Sequence, residues 1–149
     1  MRRWIGTAAI GVLVLGVALG CGRRETPEQR LARLRAAHEI VPVGFTTVTD
    51  AGGRPTLVVD LRVVNHAAEP LPHLTVKVRV IGSDGSVRLE RRATLDLSRA
   101  RPGVGVQLAA KLPGVSVAEG EQVQVELETD LPPEVLRTLP EWADVAGGR

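Results

Sequence analysis

Between residues 41 and 129 apolar side chains recur at every second position, in short runs. That period belongs to extended strands with one face in a core and the other in water. Leu57, Val59, Leu61 and Val63 alternate with Val58, Asp60, Arg62 and Val64. Leu74, Val76, Val78 and Val80 alternate with Thr75, Lys77, Arg79 and Ile81. Val104, Val106, Leu108, Ala110 and Leu112 alternate with Gly105, Gln107, Ala109 and Lys111, and Val123, Val125 and Leu127 with Gln124, Glu126 and Glu128. Residues 50–53, 65–70, 102–103 and 113–114 carry turn chemistry between the runs. Asp84-Gly85 reads as a two-residue hairpin loop. Such a loop sets Val80 opposite Leu89 and Gly82 opposite Val87. Arg91 interrupts the apolar face of residues 87–97. The sequence therefore suggests a strand ending near Glu90 and a second beginning near Ala93, with a single strand as the alternative.

Six or seven short strands at this spacing predict an all-β fold, an antiparallel immunoglobulin-like β-sandwich over residues 40–130. No strand–helix alternation occurs, which excludes a parallel α/β sheet. The expected core is Leu61, Val63, Val76, Val78, Val106, Leu108, Val125 and Leu127. Ahead of it, Thr26-Pro27-Glu28-Gln29 is a helix start, with Thr26 as cap, Pro27 at the first helical position and Gln29 closing a capping box. That helix runs to about His38. Its apolar side is thin, so residues 21–39 read as a weakly docked tether. Behind the sandwich, residues 131–149 read as a short helix and tail. Val135, Leu139 and Trp142 share one side and cover an end of the core.

The first 20 residues stand outside this fold. Arg2 and Arg3 precede an uncharged stretch from Trp4 to Gly20, shorter than the ~20 apolar residues of a usual spanning helix. The chain's single Cys, Cys21, follows Val17-Ala18-Leu19-Gly20. These residues resemble a bacterial lipoprotein signal peptide with its lipobox, although Ala18 stands where Leu is commonest. The resemblance implies cleavage before Cys21 and lipid attachment, including palmitate, on Cys21. It also implies a lipid-anchored place in the cell envelope, on the periplasmic side. Gly22 stands where an Asp would favour retention in the inner membrane, which implies the outer membrane in a Gram-negative host. The residues alone leave an uncleaved anchor helix with an incidental Cys as the other reading.

Loss of Arg2 and Arg3 leaves 17 basic residues against 17 acidic ones. A nucleic-acid binder is expected to be basic, and an aromatic content of 2% removes the stacking platforms of single-strand recognition. Residues 22–38 nonetheless hold five Arg and two Glu. This basic stretch lies beside the anchor, where it either meets anionic head groups or is a solvated helix face.

Residues 57–87, with alternating strand, Asn65, a small polar loop, Pro70-Leu71, a second alternating strand and Asp84-Gly85, resemble the immunoglobulin-like FxLYD-type domains of bacterial envelope lipoproteins. The FxLYD signature itself is absent, and the chain has no Tyr. The resemblance implies a non-catalytic interaction module with no defined ligand.

Chemistry-bearing residues are sparse. Ser83, Ser86, Ser98 and Ser116 lie in no nucleophile motif, and no phosphate-binding glycine loop opens a helix. One Cys excludes a disulfide framework. These readings point away from an enzyme and away from a cofactor. They favour a protein-interaction or scaffolding module with an envelope protein as partner and the membrane reached through Cys21. The alternative is a small-ligand or metal-binding protein using the loops around His66 and His73, with Glu69 between them as a third ligand.

Overall fold

The computed structural model describes residues 24–147; the stretch read above as a signal peptide, and Cys21, lie outside the described residues. Its elements, in chain order, are α1 (Pro27–Ala36), β1 (His38–Thr49), β2 (Pro55–Asn65), β3 (His73–Ile81), β4 (Val87–Asp96), β5 (Val106–Pro113), β6 (Gln122–Glu126), α2 (Pro133–Leu136) and α3 (Trp142–Ala146). The strands form two antiparallel three-stranded sheets, β1-β2-β5 and β4-β3-β6. β1 lies nearest β6 across the interior, and β4 nearest β5. The sheets are thus two layers of a sandwich with a shared core.

The alternating faces meet in that core. Leu57, Val59, Leu61 and Val63 of β2 and Leu74, Val76, Val78 and Val80 of β3 are buried. β2 and β3 are the central strands, which is why their inner faces are covered completely. Val106 and Leu108 of β5, Val125 of β6 and the following Leu127 pack on the core but stay half-exposed, because β5 and β6 are edges.

Four local expectations are corrected. The β3–β4 turn has a three-residue loop: Gly82 N–H donates to Ser86 C=O at 2.8 Å, and Gly85 takes φ +82°. Val80 stays opposite Leu89, but an irregularity follows and Ile81, not Gly82, lies opposite Val87. A glycine in the left-handed region at the third loop position is the usual solution for a three-residue hairpin. β4 is one strand through Arg91. Arg91 is paired with buried Val78, yet β4 is an edge strand, so the guanidinium leaves through the open side and no break is needed. β5 begins at Val106, leaving Val104 exposed in the preceding loop. The C-terminal region forms two short helices with Pro140 between them, and Leu136, rather than Val135, is buried beside Leu139 and Val145.

The largest correction concerns α1. Its capping box forms as read, with Thr26 Oγ1 accepting from Gln29 N–H and Gln29 Oε1 accepting from Thr26 N–H. The helix is firmly docked, however: Leu31, Leu34 and Arg35 are all buried. The thin apolar side suffices because Arg35 completes it. The Arg35 guanidinium pairs with the buried carboxylate of Glu141 and donates to Thr75 C=O at 3.1 Å and Glu128 C=O at 2.9 Å. Glu141 also accepts from Thr75 N–H at 3.1 Å and Thr75 Oγ1 at 2.7 Å. Helices α1 to α3 thereby close one end of the sandwich around a buried ion pair in which only Arg35 Nε lacks a partner.

Candidate interaction surface

The residues of the metal alternative are each engaged elsewhere. His66 Nε2 meets Glu39 at 2.9 Å, His73 Nδ1 meets Asp144 at 3.0 Å, and Glu69 pairs with Arg30 and Arg33. Arg30, Arg33 and their charges hold the Glu69 carboxyl below the usual range. Among the described residues no three His, Cys, Asp or Glu side chains converge on one point. His38 is buried, its Nδ1 at 2.7 Å from Leu34 C=O and its Nε2 without a partner. Burial pushes its pKa down, which makes it a neutral ring that donates from Nδ1.

The His73–Asp144 contact has the form of a base and its orienting acid. No serine or threonine hydroxyl is hydrogen bonded to that ring among the described residues; Ser86 Oγ donates to Asp84 and Thr75 Oγ1 to Glu141. Three arginines of the basic stretch are engaged internally. Arg33 pairs with Glu25 and Glu69, Arg30 with Glu69, and Arg35 is buried. Those three guanidinium groups serve the docking of α1 rather than an open cationic face. No helix among the described residues is long and apolar enough to cross a membrane.

What the sandwich does expose is β1. Of the six exposed large hydrophobic residues among the described residues, Val41, Val43, Phe45 and Val48 lie on this one strand. The four edge strands are β1, β5, β4 and β6. β4 carries Arg88, Glu90, Arg91 and Arg92, β5 carries Lys111 and β6 carries Glu126, whereas residues 40–49 of β1 contain no charge. Charges on edge strands normally block unwanted pairing. β1 has only Pro42 and an irregularity between Pro42 and Gly44 as interruptions.

The hydrogen-bond phase shows which groups are free. Asp50 N–H donates to Arg54 C=O at 3.0 Å at the hairpin end. Antiparallel pairs alternate between bonded and non-bonded. Val48–Thr56 and Thr46–Val58 are then the bonded pairs, and Phe45, Thr47 and Thr49 turn their N–H and C=O groups away from β2. Phe45 is opposite buried Val59, so its ring is on the core side, yet it is 46% exposed. Val123 and Val125 of β6 pack on the core and are half-exposed.

On the opposite face of the same sheet, Gly44, Asp60 and Ala109 stand in register across β1, β2 and β5. The small residues flanking Asp60 leave a shallow groove of about 300 Å³ lined by Val43, Asp60, Leu61, Gln107, Leu108 and Ala109. The period-two reading located the strands but not this surface. The signal was present as a ten-residue run without charge, which a count of charges per strand would have isolated. The chain matches no protein-family model, no characterised protein and no solved structure.

Proposed function

We propose that this chain is a lipid-anchored, non-catalytic protein of the cell envelope that presents an immunoglobulin-like sandwich to a protein partner. The observation that carries the interaction part is the free, uncharged edge of β1, with its exposed Val41, Val43, Phe45 and Val48. An exposed strand edge is a template for strand addition, in which backbone groups supply affinity and alternate side chains supply specificity. The strand order supports the immunoglobulin-like part. Sheets β1-β2-β5 and β4-β3-β6 correspond to strands A-B-E and C′-C-F of that frame without its last strand, G. The likeness to FxLYD-type domains belongs to the same proposal.

The anchor part rests on Arg2-Arg3, the uncharged stretch and Gly20-Cys21. In a Gram-negative host the proposed location is the outer membrane, facing the periplasm. Several acyl chains at Cys21 give stable anchoring, since each buried methylene adds roughly 0.8 kcal/mol. Cys21→Ser tests this directly. It is expected to abolish labelling by a radioactive or alkyne fatty acid and to leave the precursor uncut. Labelling that persists in the variant sinks the anchor, because the chain has no second Cys.

A further inference from the structure

We propose that His38 is an acid-sensitive latch on α1: a proton taken up at its Nε2 shifts the end cap towards a form in which α1 has left the sandwich while β1 stays paired with β2. The inference rests on neither the β1 surface nor the lipid anchor. His38 is the first residue of β1 and is separated from α1 by Ala37 alone. Its side chain closes the last turn of the helix, with Nδ1 2.7 Å from Leu34 C=O. A carbonyl only accepts, so the neutral ring carries its hydrogen on Nδ1 and a bare lone pair on Nε2. That nitrogen is buried without a hydrogen-bond partner, and the residue is 7% exposed. Nε2 is therefore the atom that an incoming proton takes, and the new N–H finds no acceptor in the closed form.

The surroundings oppose a cation there. From α1 the Arg35 guanidinium acts on the ring, and from the loop after β2 the His66 imidazole does. Asn65 of β2 stands opposite His38 and is uncharged; its Nδ2 donates to Glu69 C=O and its Oδ1 accepts from Ala67 N–H. The carboxylates of this region are committed, Glu39 to His66, Glu69 to Arg30 and Arg33, and Glu141 to Arg35. Leu34 C=O at the helix end favours a cation, but burial is the larger influence and pushes the ring's pKa down. In an opened form the ring meets water and titrates near its ordinary ~6.5. The seating of α1 is thus firmest above about pH 6.5 and weakens as pH falls below it, because the opened form binds the proton first. α1 is the element that gives way, since β1 is paired with β2 along its length. The ties of α1 through Arg137–Glu28 and Arg30–Glu69 are partly exposed and hold weakly. Its buried tie is Arg35–Glu141, and Arg35 is the group that a His38 cation repels. Released, residues 24–37 reach up to ~45 Å at ~3.3 Å per residue, against ~15 Å for the docked helix.

Hydrogen exchange of the full chain in detergent micelles, read by mass spectrometry at about pH 7.5 and about pH 5.5, tests the latch. The Glu25, Glu28 and Glu69 carboxyls are held below their usual range by the hydrogen bonds they accept, so they stay ionised across this window. With the intrinsic pH dependence of exchange removed, opening of residues 28–37 is expected to rise ~threefold or more at the lower pH, with residues 57–63 and 74–80 of the core strands unchanged. His38→Gln, whose amide can still donate to Leu34 C=O but takes no proton, is expected to abolish the rise. His73→Gln, which changes the histidine that meets α3, is expected to keep it. A rise that survives in His38→Gln, a rise lost in His73→Gln instead, no rise in the parent chain, or an equal rise in the core strands overturns the latch. If His38→Gln does not fold, the NMR titration of the His38 ring in the parent chain decides. A midpoint below ~6.5 together with the rise confined to α1 upholds the latch, and a midpoint at or above ~6.5 overturns it.

Discussion

Arg35 and Glu141 lie 106 residues apart in the chain and meet in the interior. Removing two charges from water is costly, and attraction between them offsets the cost only when their remaining hydrogen-bonding groups are satisfied. Here Glu141 accepts from Arg35 and from both the N–H and hydroxyl of Thr75, and Arg35 reaches two carbonyls, which leaves Arg35 Nε as the one unpartnered polar atom of the pair. Burial still pulls the Arg35 guanidinium below its usual range. The pair acts as a clasp, fixing α1 and α3 on the same end of the sandwich. Glu141→Gln leaves a buried cation without its counter-charge and is expected to cost about 3–5 kcal/mol in urea unfolding. The double variant Arg35→Met, Glu141→Leu removes both charges and is expected to lose much less than the sum of the single changes. Additive losses would show that the two side chains act independently.

At the scale of elements, the same sandwich has guarded and unguarded edges. β4 exposes alternating cations and anions, and Arg79 beside it pairs with Glu90 and Glu126. β1 exposes valines, threonines and the chain's one Phe. α1 shows the reverse economy, with only two large apolar residues, Leu31 and Leu34, both buried. Leu34→Ala empties a fully buried site and is expected to cost about 2–5 kcal/mol in the same unfolding measurement. A loosely held tether predicts a change within about 0.5 kcal/mol, as for a surface residue. The strands were legible because alternation is a local signal: Leu57 to Val63 and Leu74 to Val80 name their own buried faces. The docking of α1 was not legible, because a helix with Leu31 and Leu34 looks weakly amphipathic until Arg35 finds Glu141 in the tertiary fold. The hairpin register slipped for a related reason. Asp84-Gly85 fixes a turn, but whether Gly85 closes a two- or three-residue loop depends on backbone geometry that composition does not carry. The β1 surface lay in between: its missing charges are visible in the sequence, while its position at an edge is a property of sheet order.

At the scale of the whole molecule, the helices and the β1 edge divide the labour. α1, α2 and α3 close one end of the sandwich through the Arg35–Glu141 clasp. The long outer edge of β1 stays unpaired. The proposed function places recognition on backbone groups of this single strand, and amide hydrogen exchange along β1 tests it most directly. In the dilute, separated chain Phe45, Thr47 and Thr49 are expected to exchange freely, while Thr46 and Val48, bonded to β2, are protected. In the membrane-held protein the first three are expected to slow by roughly tenfold or more, with Thr46 and Val48 unchanged. Equal exchange of Phe45, Thr47 and Thr49 in both states, or protection already complete in the separated chain, would contradict the claim that β1 is the interaction surface.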